Sequence, residues 1–213
     1  HLPYVNFALQ RGTFADIPAD VPYLSSYPHI VENVFAAWRA LLPDDRLVEI
    51  GHLLLGLLGA LAVGTIASGQ CVRSSHAVAA GAAWLTVPAV FLQLPSNYVD
   101  VGSAALLLTA IAFVLMPPRG SSLLLAGVAT GLFLGSKPTA PVAALLLLLV
   151  LSVRGWQAGH RGAVAGAWGA ALAFGAPTYV INVVRHGNPV WPVRLDLGPV
   201  HLPGTQTVSA LLQ

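Results

Sequence analysis

Six apolar stretches joined by short turns occupy residues 47–183 of this 213-residue chain. About 20 apolar residues are needed to cross the hydrocarbon core of a bilayer, so the outer stretches are long enough, whereas the fourth and fifth are short. The sequence therefore predicts an all-α polytopic membrane bundle of about six transmembrane or re-entrant helices. The predicted helices are residues 47–67, 76–94, 99–116, 121–136, 139–153 and 163–183.

Composition agrees with this interpretation. Hydrophobic residues make up 56% of the chain and charged residues 8%, and the mean hydropathy is +0.74. About a quarter of the residues in a soluble domain are charged. The basic residues are scattered singly over turns, which argues against a nucleic-acid partner. A single cysteine, Cys71, excludes an internal disulfide and a cysteine metal cluster.

Charge separates the two ends of the predicted bundle. The turns at residues 69–75, 117–120 and 154–162 carry arginines and no acid, which predicts that they are cytoplasmic. All eight acids then fall on the opposite side. We therefore expect a multi-pass protein, of a bacterial cytoplasmic membrane, whose functional face is extracytoplasmic.

Two polar segments flank the spans on that outer side. Residues 1–46 are predicted to form an extracytoplasmic loop with interfacial helices. Val5–Gln10 begins one of these helices, and Ile30–Leu42 forms the other. In the second, the spacing predicts an apolar face, formed by Ile30, Val34, Ala37, Trp38 and Leu41. Residues 184–213 predict a proline-rich loop with a short helix at residues 208–212. Because the sequence opens with His1 and closes soon after a loop, we expect it to be a piece of a longer protein.

Asp100 is the sharpest candidate for chemistry, because it lies at the outer mouth of the third stretch. A carboxylate there can hold a divalent cation such as Mg²⁺ or Mn²⁺ against a phosphate, or take a proton from an acceptor hydroxyl. The ordinary alternative is an acid in the first turn of a helix, where the helix dipole favours it.

Three basic residues are candidates for binding a phosphate. Lys137 is the only lysine and lies in the turn between the fourth and fifth stretches, and Arg185 and Arg194 flank a turn-rich segment after the last stretch. Arginine binds phosphate with two-point geometry. Anchoring at the headgroups is the alternative for all three.

Four further residues are candidates for an acceptor or metal site. Glu49 and His52 lie one turn apart at the mouth of the first stretch, where a hydrogen-bonded structural pair is the simpler interpretation. His29 and Glu32 lie in the N-terminal segment, where solvated loop residues are the simpler interpretation. Separately, Gly127, Gly131 and Gly135 are spaced four apart, which predicts close packing of a neighbouring helix.

The order of several short motifs resembles the GT-C superfamily of integral membrane glycosyltransferases, which includes protein mannosyltransferases and the aminoarabinose transferase of lipid A. These motifs are Tyr27-Pro28, residues 42–50 (LPDDRLVEI), residues 97–100 (NYVD), residues 135–139 (GSKPT), residues 179–182 (YVIN) and residues 187–192 (GNPVWP). The resemblance covers nearly the whole chain.

This resemblance implies a polyprenyl-phosphate sugar donor, an acceptor arriving from the outer side and inversion at the sugar carbon. Such enzymes use an acid after the first span and another at the next outer helix mouth. Asp100 matches the second acid, and the first would lie upstream of His1, in a missing first span. Some relatives carry Glu-Lys before the proline matched by Pro28, where this chain has Ser26-Tyr27. Lys137, Arg185 or Arg194 must then supply the positive charge.

Two other functions are open from the sequence. The chain can be a non-catalytic accessory subunit that packs with other membrane subunits through its small-residue helices. A transporter is the third class, although the predicted spans lack charged centres and no inverted repeat is visible. The sugar and the acceptor do not follow from the sequence, and we expect this piece to be inactive by itself.

Overall fold

The computed structural model describes residues 2–13, 22–41, 48–96 and 98–207, and it is mainly helical. The N-terminal segment contains α1 (Leu2–Arg11), α2 (Pro22–Ser25) and α3 (Ile30–Leu41). The apolar part contains α4 (Val48–Ser68), α5 (Ser74–Thr86), α6 (Pro88–Gln93), α7 (Asp100–Leu115), α8 (Gly120–Leu134), α9 (Ala140–Gln157), α10 (Arg161–Gly175) and α11 (Pro177–His186). Three short strands follow: β1 (Val193–Leu197), β2 (Val200–Leu202) and β3 (Gln206–Thr207).

Two of these helices, α4 over Ile50–Ser68 and α9, are long and apolar enough to cross a membrane. A third span results if α10 and α11, which meet at a 60° bend, are taken together. Helices α7 and α8 are apolar but shorter. The positions of the predicted stretches thus agree with helices, whereas the length criterion supports two or three spans rather than six.

Prolines divide two of the predicted stretches. The second predicted stretch, residues 76–94, is two helices, because Pro88 has no N–H to continue the helical ladder. Val87 before it is extended (φ −57°, ψ 124°), as the residue before a proline prefers. The bend between α10 and α11 falls at Pro177 for the same reason.

The glycine row of α8 lies against α10, as its spacing predicts. A Cβ atom at Gly131 would lie 2.8 Å from the Ala171 Cα and 2.7 Å from its carbonyl oxygen. Gly127 faces Ala167 in the same way, and Gly135 lies near the Phe174 carbonyl. The two backbones are therefore too close for any side chain between them.

The turns of the bundle gather at two opposite ends. At one end, Arg154 in the last turn of α9 donates hydrogen bonds to the carbonyls of Leu115 and Met116, at the C-terminal end of α7. At the other end, the first turn of α7 meets the α8–α9 turn, and the N-terminal helices pack there. A core cluster in which Val5 and Phe35 contact Phe133 and Ala140 joins these helices to the bundle.

Helix α3 packs a second face against the rest of the protein, and leaves much of the predicted apolar face exposed. Its buried residues are Val31, Glu32, Phe35 and Ala36, whereas Val34 and Leu41 are exposed. The interfacial position of the predicted face therefore stays a prediction. The face that is packed against α1, α4 and the α8–α9 turn includes Glu32. A search for apolar residues at helical spacing does not find a face that contains an acid.

The C-terminal segment contains strands, where the sequence predicted a loop. Strand β1 pairs antiparallel with β2 and parallel with β3, in the order β2-β1-β3. The buried side chain of Asn188 holds the segment together, since its amide donates to the carbonyls of Val193 and Pro203, both at 2.7 Å. The predicted helix at residues 208–212 lies outside the described residues.

Candidate functional site

Asp100 and Lys137, two residues 37 positions apart, form an ion pair. Asp100 is the first residue of α7, and Lys137 lies in the α8–α9 turn. Both side chains are partly exposed, 46% for Asp100 and 34% for Lys137. The fold thus brings together the two strongest candidates from the sequence. Asp100 also retains its favourable position at a helix N-terminus.

Hydrogen bonds from three helices fix the turn that carries Lys137. The Ile30 amide at the start of α3 donates to the Gly135 carbonyl at 2.9 Å. The buried hydroxyls of Ser103 on α7 and Ser136 in the turn lie 2.7 Å apart.

Helix α11 supplies the third connection. The Tyr179 hydroxyl lies 3.0 Å from the Leu134 carbonyl and 3.2 Å from that of Lys137, and it donates to this pair of acceptors. The backbone around Lys137 is therefore held in place by hydrogen bonds, so the side chain starts from a fixed position.

A cavity of about 210 Å³ opens beside the ion pair, and we call it the ion-pair cavity. It lies between the α8–α9 turn, the start of α7 and the N-terminal segment. Its walls include Tyr4, Tyr27, Pro28, His29, Glu32, Asp100, Ser136 and Lys137. Four of the residues singled out in the sequence therefore share one cavity.

His29 and Glu32 form a pair at the wall of this cavity. His29 Nδ1 lies 3.1 Å from Glu32 Oε1, and both side chains are largely buried. The Tyr4 ring stacks on the His29 ring, with centroids 3.8 Å apart, and its hydroxyl donates to Asn33 Oδ1 at 3.0 Å. Burial, with a smaller contribution from the nearby Glu32, raises the pKa of Tyr4 to about 12.

His52 has a structural environment. It is fully buried, its Nδ1 lies 2.8 Å from the Ser96 carbonyl, and its ring packs edge-on against Phe35. It therefore fastens α4 to the segment before α7. The side chain of Glu49 lies outside the described part of the structure, so the predicted Glu49–His52 pair stays a prediction.

The two arginine candidates do not line the ion-pair cavity. Arg185 is exposed in the last turn of α11. Arg194 lies on β1, where its Nε donates to Asp196 Oδ2 at 2.9 Å, and His201 Nδ1 lies 2.8 Å from the other oxygen of the same carboxylate. Hydrogen bonds from His201 and Arg194 lower the pKa of Asp196 below its usual value. Arg194 belongs to this exposed cluster and does not line the ion-pair cavity.

A second cavity of about 220 Å³ lies on the other side of His29. It reaches the bend between α10 and α11, and we call it the neutral cavity, because Asp, Glu, Lys and Arg are absent from its described walls. Tyr4, Leu24, Tyr27 and His29 line both cavities. The two spaces are thus neighbours with a shared wall.

Reasoning from the sequence missed Tyr4, Asn33 and Ser103. Tyr4 and Asn33 lie on helices whose relative packing no local pattern specifies. Ser103 follows Asp100 by three residues, so it lies on nearly the same helical face, and that spacing was the available signal.

Comparison with protein family models, curated proteins and solved structures found no match. The GT-C resemblance therefore stays a prediction. Within the described residues, no three His, Cys, Asp or Glu side chains form a group that could hold a metal ion. The described residues around Asp100 therefore fit Mg²⁺ or Mn²⁺ poorly, since such a cation takes six or more oxygen ligands.

Proposed function

We propose that the chain is the membrane part of a glycosyltransferase, which transfers a sugar from a polyprenyl-phosphate donor to an acceptor at the extracytoplasmic face. The observation that carries the proposal is the Asp100–Lys137 pair beside the ion-pair cavity. Placement in a membrane has separate support. Large apolar side chains are exposed along α4 and α9, among them Leu61 (69%) and Leu146 (58%), and lipid would cover them.

Lys137 provides the phosphate contact in this mechanism. Its ammonium group is partly exposed at the cavity, and an arriving lipid phosphate can replace or share its contact with Asp100. As the bond to the sugar carbon breaks, negative charge grows on the leaving phosphate. A fixed cation at that position stabilises the charge, and low surrounding polarity strengthens the effect.

Asp100 provides the second function. Once Lys137 engages the phosphate, the carboxylate of Asp100 is available to accept a proton from an acceptor hydroxyl. Positioned general bases of this kind typically contribute about 10²–10⁴-fold in rate. Lys137 alone supplies the phosphate contact in these steps, because neither Arg185 nor Arg194 lines the ion-pair cavity. No metal enters the proposed mechanism, given the poor fit of the site.

Sugar transfer from polyprenyl-phosphate mannose, glucose and arabinose by the full-length protein in proteoliposomes tests the proposal. We expect Asp100→Asn to lower kcat by about 10²-fold or more, the scale of a lost general base. Lys137→Gln should lower kcat as well as raise KM for the donor, because Lys137 both binds the phosphate and stabilises the charge that grows on it. Asp196→Asn is the matched control, because it removes an exposed acid that lies outside the ion-pair cavity, and it should leave transfer unchanged.

Two results would count against the proposal. Wild-type transfer rates in Asp100→Asn would remove Asp100 from the mechanism. Folded wild-type protein that transfers none of the three sugars and binds none of the donor lipids would argue against the glycosyltransferase function and for the accessory-subunit alternative.

A further inference from the structure

The volumes of the ion-pair cavity and the neutral cavity suit two parts of one binding site. Each measures little more than 200 Å³, which is below the roughly 300–1,000 Å³ of typical small-molecule sites. Combined across their shared wall, they fall within that range. A ligand that extends past the shared wall residues would occupy both cavities, with different chemistry at its two ends.

The neutral cavity has the surface expected for an uncharged, hydroxyl-bearing group. Its polar walls come from neutral hydrogen-bonding side chains, such as Ser25, Asn33 and Thr178. Aromatic rings of Tyr4, Tyr27 and Phe174 supply flat apolar faces. A phosphate would find no fixed cation on these walls, whereas a sugar ring presents both hydroxyls and apolar C–H faces.

His29 lies in the shared wall, and one of its ring nitrogens has no hydrogen-bond partner among the described residues. Its Nδ1 is engaged with Glu32, and the Tyr4 ring stacks on its face, so the orientation of the ring is fixed. Its Nε2 is buried and has no hydrogen-bond partner among the described residues. An unsatisfied buried polar group costs about 1–3 kcal/mol, so a bound group that pairs with Nε2 would recover that energy.

We propose that the neutral cavity binds the sugar of the lipid-linked donor and that His29 Nε2 hydrogen-bonds one of its hydroxyls, while the phosphate meets Lys137 in the ion-pair cavity. This inference rests on the proposed function, and it adds the position of the sugar and the residue that recognises it. His29 is a binding residue in this arrangement, and Glu32 positions it.

Binding of two lipids to the purified protein in detergent tests the inference: the polyprenyl-phosphate sugar that binds most tightly among mannose, glucose and arabinose, and polyprenyl phosphate without a sugar. We expect wild type to bind the sugar-bearing lipid more tightly. One hydrogen bond contributes about 0.5–1.5 kcal/mol, so His29→Leu should weaken that binding by roughly two- to thirteenfold and leave the sugarless lipid unchanged. His29→Gln, which keeps a hydrogen-bonding side chain, should restore part of the difference. His160→Leu, at an exposed histidine before α10, is the matched control.

The outcomes separate this inference from the function on which it rests. Equal affinity of wild type for the two lipids would overturn the sugar position and leave phosphate recognition standing. An equal loss for both lipids in His29→Leu would assign His29 a structural role and refute its contact with the sugar. Failure of wild type to bind either lipid would reject the proposed function itself, and the inference with it.

Discussion

Replacement of Gly131 by alanine tests how strictly the α8–α10 contact depends on glycine. The added Cβ would lie 2.7 Å and 2.8 Å from backbone atoms of Ala171. Backbone cannot rotate away as a side chain can, so the two helices must separate. Since Gly127 and Gly135 share the contact, the separation would loosen packing along the whole row.

Two opposing terms set the size of the effect. Alanine is favoured over glycine inside a helix by roughly 0.8–1.0 kcal/mol. Overpacking a tight site costs typically about 1–3 kcal/mol, and contact with backbone places this site toward the upper end. We expect Gly131→Ala to be destabilising by about 1–2 kcal/mol. For a chain of this length, about 2–4 °C per kcal/mol then gives a fall in Tm of roughly 2–8 °C.

Gly169→Ala is the matched control, because a Cβ there meets no atom of the described structure within 4 Å. Helix propensity acts without a clash at this site, so its Tm should rise by about 2–4 °C. Thermal unfolding of both variants in the same detergent measures the contrast. If Gly131→Ala stabilises the protein as much as Gly169→Ala does, the close approach of α8 and α10 is refuted.

Two further predictions concern tyrosines near the site. Tyr179→Phe removes the hydroxyl that donates to the carbonyls of Leu134 and Lys137, so we expect a loss of about 1 kcal/mol in thermal unfolding; an unchanged Tm would show that α11 does not hold the turn. Because the pKa of Tyr4 is raised to about 12, its stabilising contribution is complete below pH 10 and is lost as the pH rises toward 12. Ultraviolet titration of wild type against Tyr4→Phe measures this ionisation, and a midpoint near 10 would contradict the burial of Tyr4.

Patterns that repeat along a helix or alternate between turns were predictable from the sequence. The glycine row predicts its own tight contact, because a spacing of four residues places all three glycines on one face. Alternation of charge also places Asp100 and Lys137 at one end of the bundle, since an even number of apolar stretches separates their turns.

Two features were not predictable because several local patterns competed. Helix α3 has apolar residues on two faces, and only the packing partner decides which is buried; that face carries Glu32. Apolar composition continues through Pro88 and Pro177, so hydropathy alone joins helices that backbone chemistry separates. At Pro177 the difference matters for the candidate site, because residues at the bend line the neutral cavity.

The candidate site depends on contacts that join distant parts of the chain. Asp100 and Lys137 belong to separate motifs in the sequence, and they can pair only if α7 and α8 are neighbours. The hydrogen bond between Ser103 and Ser136 aligns the start of α7 with the α8–α9 turn. His29 arrives from a third element, whose first amide is bound to Gly135. Each motif is short and weakly informative alone. What identifies the candidate site is the distance between side chains from different motifs, and spacing along the sequence does not give that distance. The bend at Pro177 then opens the space beside them, so a proline that shortens a helix also creates the cavity that a sugar would occupy.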